Sequence, residues 1–145
     1  MNLTQRRKET KTQREDKSPV NENEISKVIV ESAIEVDREL GGPGLIESVY
    51  EESMVEELQR RGMKVERQLW VPIFYKGKQL ASPSRLDLKI NDFVLVDNKA
   101  VTEWNKVFEA QMLTYLRLTK LKLGLVINFG ERYVKDGIHR VVNGL

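Results

Sequence analysis

The chain has 145 residues and a formal net charge of +2 at pH 7, and this length predicts one domain with a sizeable hydrophobic core. It contains no cysteine, which excludes disulfides, zinc–thiolate sites and a thiol nucleophile. The single histidine, His139, excludes a histidine metal cluster.

The N-terminal segment differs in composition from the rest of the chain. Residues 1–17 hold six basic and three acidic side chains, so the remaining chain is close to neutral. Because residues 1–20 are polar and without periodicity, we expect a disordered basic tail followed by one folded domain over residues 21–145. No apolar stretch approaches the roughly 20 residues of a membrane span, and the N-terminus lacks the apolar segment of a signal peptide. We therefore expect a cytoplasmic protein without a membrane partner.

Two helices are predicted first along the folded part of the chain. Asn21 and Glu24 have the spacing of a capping box and precede a stripe of apolar residues at three- and four-residue steps. The stripe consists of Ile25, Ile29, Ala33, Val36 and Leu40. Glycines within residues 41–44 end this helix, and a second helix is predicted from residue 45 to about 61, before Gly62.

Strands are predicted at about residues 64–75, 79–80, 84–90 and 93–100. A helix over about residues 103–118 follows, and residues 123–129 and 138–142 are predicted as the last two strands. This order of helices, strand meander, helix and strand indicates an α/β domain with a mixed sheet.

Charged residues interrupt two of the predicted strands, and these are the strongest functional indication in the sequence. Asp87 alternates with apolar residues in the strand at 84–90, whereas Asp97, Asn98 and Lys99 close the apolar strand at 93–100. Asn91 and the following aspartate form a turn, so the two strands should pair as a hairpin.

The length of the hairpin loop decides whether Asp87 and Asp97 meet. A two-residue loop would pair Ile90 with Phe93 and place the two aspartates on opposite faces of the sheet. A three-residue loop, or a bulge near Phe93, would pair Asp87 directly with Asp97. It would also collect the apolar residues on the other face, so the apolar pattern favours it; these residues are Leu86, Leu88, Ile90, Val94 and Val96.

Two interpretations of this polar cluster remain open from the residues alone. Two carboxylates opposed on neighbouring strands repel each other, and a divalent cation between them removes that penalty. In the alternative, the charged residues form a solvated strand face on which Arg85 and Lys89 pair with the two aspartates.

Further polar residues lie on the predicted helices. Glu47 shares a face of the second helix with Tyr50, Met54 and Leu58, at three- and four-residue steps. Gln111 and Tyr115 are four residues apart on the helix that follows the strand containing Asp97, so they can face the same site. A tyrosine on an amphipathic helix is also an ordinary core residue.

Together, these residues resemble the GxxExxY family, whose name describes Gly44, Glu47 and Tyr50 at their spacing. The similarity extends from about Asn23 to Gly144. It includes Glu-Leu-Gly-Gly-Pro-Gly at 39–44, Tyr-Lys-Gly-Lys at 75–78, Arg-Leu-Asp-Leu at 85–88, Gln-Met-Leu-Thr-Tyr-Leu at 111–116 and Gly-Leu-Val-Ile-Asn-Phe at 124–129.

The GxxExxY proteins resemble small members of the PD-(D/E)XK nuclease superfamily. The resemblance implies a restriction-endonuclease-like αβββαβ core, with a mixed central sheet flanked by helices. Its implied function is a metal-dependent nuclease that hydrolyses phosphodiester bonds of DNA or RNA with a water activated by Mg²⁺ or Mn²⁺.

The resemblance also implies a role for each residue of the site. Asp87, Asp97 and the Asn98 carbonyl would bind the metal, and Glu47 would hold a metal-bound water or a second metal ion. Lys99 would orient the attacking water or stabilise charge. Gln111 and Tyr115 resemble the Gln-x-x-x-Tyr motif of the RecB-like branch and would position the nucleic-acid strand or Lys99.

Two departures from the family pattern suggest an alternative function. Glutamate is usual in the family where this chain has Asp97, and leucine is common where it has Asn98. The second hypothesis is therefore a catalytically inactive binding or interaction module that keeps the nuclease fold. Metal titration separates the two, because only an assembled site should be stabilised by the cation.

Overall fold

A computed structural model describes residues 21–145, so the predicted tail at 1–20 lies outside the described residues. The chain begins with α1 (Glu22–Leu40) and α2 (Glu47–Arg60). Three strands follow: β1 (Val65–Val71), β2 (Phe74–Tyr75) and β3 (Lys78–Gln79). The rest of the chain consists of β4 (Ser84–Ile90), β5 (Val94–Lys99), α3 (Val107–Thr119), β6 (Leu123–Asn128), a 3₁₀ turn (Val134–Gly137) and β7 (Ile138–Val142).

The central sheet is mixed and has five strands in the order β1-β4-β5-β6-β7. Only β5 and β6 are parallel, and α3 forms the crossover between them. The other neighbours are antiparallel, while β2 and β3 form a separate small hairpin. The predicted α/β fold with a mixed sheet flanked by helices is thus confirmed, and its architecture is that of restriction-endonuclease-like nucleases.

The predicted signals at both ends of α1 are confirmed. The Asn21 side chain accepts a hydrogen bond from the Glu24 amide at 2.9 Å, and Gly41 ends the helix with a φ of 87°. That backbone conformation suits glycine because it has no Cβ.

The sheet separates two hydrophobic cores. The first core lies between the sheet and α1 and α2, and includes Leu88, Val94 and Val96. The second core lies between the sheet and α3, and includes Leu95 and Met112.

Gly124 allows α3 to approach the sheet closely. A Cβ on this residue would collide with the Met112 side chain, so glycine in β6 sets the distance between the helix and the sheet.

The single strand predicted at residues 64–75 is wrong, because it is divided into β1 and β2. Pro72 follows β1 directly and cannot donate a hydrogen bond to a neighbouring strand. Within residues 21–145, no helix combines the length and the apolar composition needed to cross a bilayer.

The β4–β5 hairpin has the odd loop that the apolar pattern favoured. Ile90 pairs with Val94 and Leu88 with Val96, so three residues connect the strands. Asn91 and the residue after it adopt positive φ angles of 51° and 65°. The Asn91 side chain accepts a hydrogen bond from the Lys64 amide at 2.7 Å, which fixes the loop against the start of β1.

One predicted face assignment is wrong. Leu88 and Ile90 pack in the first core, but Leu86 packs in the second core. Strict alternation would place all three on one face, so the alternation of β4 reverses at Asp87. The neighbouring strand is irregular at the same level, where Gln68 has a φ of 52° and no ladder partner is present between the Arg67 and Leu69 pairs.

Candidate functional site

The site is centred where β4 and β5 separate. Regular pairing ends at Leu88 and Val96, and the next facing residues are Asp87 and Asp97. The Asp97 carboxylate accepts a hydrogen bond from the Asp87 amide at 3.2 Å. In turn, the Asp87 carboxylate accepts one from the Asn98 amide at 2.8 Å. Side-chain oxygens thus replace the main-chain carbonyls that would continue the β4–β5 ladder, and they hold the two carboxylates beside each other.

Burial raises the pKa of both carboxylates. Loss of surrounding water, followed by the charge of Asp97, raises the pKa of Asp87 to about 6. The pKa of Asp97 is also raised, chiefly because the side chain is only 5% exposed. The Asp87 amide and Lys99 act against that rise. Such a pair favours cation binding, because a positive charge between the carboxylates would offset the free-energy cost of burying them and of placing them close together.

Each carboxylate retains an oxygen for a ligand. Asp87 Oδ1 and Asp97 Oδ2 accept no hydrogen bond from any residue of the described chain. Two carboxylates with free oxygens fit a hard divalent cation such as Mg²⁺, which binds one or two carboxylates and keeps several waters. Across residues 21–145, no three His, Cys, Asp or Glu side chains converge to hold a metal ion. The role of Glu47 in holding a metal remains a prediction.

Lys99 lies at the end of β5, on the same strand face as Asp97. Its ammonium is 4.6 Å from the centre of the Phe108 ring, which contacts Trp104 edge to face at 5.0 Å. The cation–π contact with an aromatic ring of α3 limits where the ammonium can go.

Asn128 fixes the chain beyond Lys99. Its amide group both accepts from the Val101 N–H and donates to the Val101 carbonyl, each at 3.0 Å. This buried side chain clamps the segment after β5 to the end of β6. Asn128 is the last residue of β6, and the sequence analysis did not identify it as a site residue.

The residues of the Gly44, Glu47 and Tyr50 motif act through the loop before α2. The Tyr50 hydroxyl donates to the Gly42 carbonyl at 2.8 Å and accepts from the Leu45 amide at 3.2 Å. The φ of Gly44 is 120°, a conformation that favours glycine. Glu47 then occupies the first turn of α2, so the motif fixes the position of its carboxylate.

Glu47 is exposed but lies within electrostatic reach of the two-aspartate centre. Partial loss of water raises the pKa of Glu47; Lys99 opposes the rise, and Asp87 and Glu51 add to it. The carboxylate can therefore act on water or substrate at the site without being buried in it.

Glu51 is a site residue that the sequence analysis missed. It is 7% exposed, and its carboxylate is 3.4 Å from Arg67 and 3.5 Å from the Gln68 amide nitrogen. Its charge contributes to the raised pKa values of Asp87 and Asp97. The available signal was its position one helical turn after Glu47.

Gln111 and Tyr115 differ in their burial and in their hydrogen bonds. Tyr115 is buried, and its hydroxyl lies 2.8 Å from the Ser84 hydroxyl and 3.3 Å from the Arg85 carbonyl, which it hydrogen-bonds. Burial raises the pKa of Tyr115, and the charges of the two aspartates contribute to the rise. Gln111 is exposed, and its side chain forms no hydrogen bond with any described residue. Its role at the site remains a prediction.

The solvated-face interpretation does not match the observed ion pairs. Lys89 lies 3.7 Å from Glu66 rather than pairing with either aspartate. Arg85 forms no ion pair within the described part of the chain.

Asn98 is buried on the opposite face of β5. The residue is 0% exposed, and neither its side-chain oxygen nor its side-chain nitrogen has a hydrogen-bond partner. An unpaired buried polar group costs about 1–3 kcal/mol. The Asn98 amide thus lies on the apolar face of β5, and no hydrogen bond joins it to the carboxylate pair.

Comparison with known proteins supplies one match. A sequence model described as the PD-(D/E)XK nuclease superfamily matches residues 23–141, which is most of the chain. No curated protein and no solved structure matches significantly.

Proposed function

Because this chain belongs to the PD-(D/E)XK nuclease superfamily, we propose that it hydrolyses phosphodiester bonds of nucleic acid at Asp87, Asp97 and Lys99. The observation that carries the proposal is a pair of hydrogen bonds between β4 and β5, from the Asp87 amide to the Asp97 carboxylate and from the Asn98 amide to the Asp87 carboxylate. These bonds hold together two carboxylates with raised pKa values and leave one oxygen free on each. Residues 21–145 would form the nuclease domain.

We propose that Mg²⁺ or Mn²⁺ is held by Asp87, Asp97 and the main-chain carbonyl of Asn98. The Asn98 amide points to Asp87. Because the N–H and C=O of one strand residue point to the same side, its carbonyl is directed into the same gap. When bound, the cation would lower the pKa of water and offset negative charge on the phosphate.

The protein side chains would carry the remaining steps. Lys99 would donate a hydrogen bond to the attacked phosphate or orient the attacking water, and Phe108 would restrict its ammonium to that side. Glu47 would accept a hydrogen bond from water at the site, which suits an exposed carboxylate with a raised pKa.

Tyr115 and Gln111 would have different roles. Tyr115 would position the start of β4 and hence Asp87, because its hydroxyl hydrogen-bonds the Arg85 carbonyl. Gln111 is exposed and is available to contact the substrate strand. These assignments, together with the Gly44, Glu47 and Tyr50 motif, support placing the chain among the GxxExxY proteins and in the RecB-like branch. A cytoplasmic location remains a prediction.

A nuclease panel tests the proposal. Labelled single- and double-stranded DNA and RNA are incubated with the protein in Mg²⁺, Mn²⁺ or EDTA. We expect cleavage of at least one substrate that stops in EDTA, and a loss of about 100-fold or more in Lys99→Ala.

The matched control is Lys89→Ala, because Lys89 belongs to a strand of the same hairpin but pairs with Glu66. Its cleavage should equal that of the wild type. Equal cleavage by wild type and Lys99→Ala would indicate a contaminating nuclease. Failure to cut any substrate would leave the inactive binding module.

A further inference from the structure

One exposed segment beside the site carries aromatic side chains and charge of a single sign. Residues 70–85 contain three basic side chains and no acidic one. The large aromatic side chains of this segment are exposed, namely Trp70 at 64%, Phe74 at 56% and Tyr75 at 62%. We call Trp70 together with residues 73–80 the aromatic platform.

The aromatic platform lies at the same edge of the sheet as the carboxylate pair. The antiparallel pairing of β1, β4 and β5 brings the end of β1 and the start of β4 to the sheet edge at which β5 ends in Lys99. Trp70 lies directly opposite Arg85. The charge of Arg85 also opposes the rise in the pKa of Glu47.

The β2–β3 hairpin gives this surface a defined shape. The Leu80 amide donates to the Ile73 carbonyl at 2.8 Å and closes the base of the hairpin. Tyr75 pairs with Lys78 across the hairpin, which places both side chains on one face. The Lys76 ammonium is 5.4 Å from the centre of the Tyr75 ring. Cations therefore lie beside an exposed ring.

We propose that the aromatic platform binds single-stranded nucleic acid next to the cleavage site, with unpaired bases stacked on its rings and phosphates on its lysines. This inference rests on the proposed function and names its substrate class. Aromatic rings accept any unstacked base, whereas the bases of a duplex are already stacked on each other. The uniformly positive charge favours a polyanion over an apolar protein partner.

Binding without cleavage tests this substrate class. The fluorescence anisotropy of labelled oligothymidylate of about 20 nucleotides, and of a duplex of equal length, is measured with the full chain in EDTA. We expect tighter binding of the single strand. Trp70→Ala should weaken it by about fivefold or more, because one stacked base contributes about 1–3 kcal/mol. Trp70→Phe should restore part of the affinity.

Tyr133→Ala is the matched control, because Tyr133 is 54% exposed but follows β6 instead of β1. Its single-strand affinity should stay within about twofold of the wild type. A Lys76→Gln, Lys78→Gln double variant should lower the slope of log affinity against log salt by about 1.4, since each phosphate contact in a single strand contributes about 0.7.

Several results would overturn the proposal. Preference for the duplex, or unchanged single-strand affinity in both Trp70→Ala and the lysine variant, would do so. A dimer that sedimentation shows to be lost in Trp70→Ala, with unchanged oligonucleotide affinity, would assign the surface to a second copy of the chain.

Different results would refute the substrate-binding inference and the nuclease proposal. Trp70-dependent binding without cleavage would retain the aromatic platform and refute the nuclease. Metal-dependent cleavage, together with single-strand affinity that is unchanged in the Trp70 and lysine variants, would support the nuclease and refute the role of the aromatic platform.

Discussion

Near the end of β5, the buried polar side chain on one face is hydrogen-bonded, whereas the one on the other face has no partner. Asp97 is 5% exposed, but it receives a main-chain hydrogen bond and lies on the same strand face as Lys99. Asn98, the next residue, is 0% exposed and its amide group has no partner. Burial alone therefore does not identify a functional residue. On the first face, the polar groups form a set that can bind a ligand, whereas on the second a single amide only lowers stability.

The largest expected effect is a loss of cleavage activity on substitution of Asp97, on the hydrogen-bonded face of β5. Asp97→Asn removes a charged ligand while keeping the shape of the side chain, so cleavage should fall by about 100-fold or more. Asp97→Glu should retain cleavage, because it keeps the charge and lengthens the reach. The measurement is the initial cleavage rate in Mg²⁺ and Mn²⁺. Undiminished cleavage by Asp97→Asn would remove Asp97 from the mechanism.

Substitution of Asn98, on the opposite face of β5, should change the stability of the protein and leave its activity unchanged. Asn98→Leu should raise the free energy of unfolding by about 1–3 kcal/mol, because it replaces an unpaired buried amide with an apolar side chain of similar size. Denaturant unfolding measures the change, and cleavage should be unaffected because the proposed ligand is the main-chain carbonyl.

Asn128→Leu is the control for Asn98→Leu. Asn128 is equally buried, but both of its amide atoms bond to Val101. This variant should be destabilised by a similar amount. If both variants lose stability, the Asn98 amide has a partner and the comparison between the two faces is wrong.

The charged face should also make stability depend on pH. The folded-state pKa of Asp87 is raised from 3.8 to about 6, so the folded protein binds a proton more tightly than the unfolded chain. The destabilisation is absent below pH 3.8, grows as the pH rises and is complete above about 6. Metal-free protein should therefore lose roughly 1–3 kcal/mol of stability between pH 4 and pH 7 from this group.

Asp87→Asn should flatten that part of the pH profile. Unfolding is measured in EDTA, and the difference between wild type and variant isolates Asp87 from other titrating groups. A difference that does not change with pH would show that Asp87 ionises normally.

The smallest expected effect concerns Gln111. Because the side chain is exposed and unbonded within the described residues, Gln111→Ala should change the free energy of unfolding by no more than about 0.5 kcal/mol. If it contacts substrate, the variant should raise KM severalfold with kcat nearly unchanged. Tyr115→Phe should instead lower stability, because it removes a buried hydroxyl that bonds to β4. Loss of stability in Gln111→Ala would indicate a structural role.

Much of the fold was predictable because its apolar patterns are regular. The odd hairpin loop followed from the requirement that Leu88, Ile90, Val94 and Val96 share a face, and these residues all pack in the first core. The reversal at Asp87 was not predictable, because it coincides with an irregularity in another strand, where Gln68 has a positive φ. Alternation within one strand carries no information about such a neighbour.

The candidate site was predictable to a lesser extent. Asp87, Asp97 and Lys99 were conspicuous because charged residues interrupt strands, and the structure brings the two aspartates together. Glu51 was missed because acidic residues are common on helices, and its burial arises only when α2 packs against β1. Gln111 and Tyr115 share a helix, but only Tyr115 is buried, because burial depends on how α3 packs against the sheet.

Metal binding by the Asp87 and Asp97 pair is the central claim, and calorimetric titration with Mn²⁺ tests it most directly. Wild-type protein should bind the ion saturably, with affinity that rises as the pH increases through about 6 because protons and metal compete for Asp87. Asp87→Ala and Asp97→Asn should abolish this binding, whereas Asn98→Leu should retain it. Saturable binding that persists in both aspartate variants, or its absence from the wild type at millimolar Mn²⁺, would contradict the account.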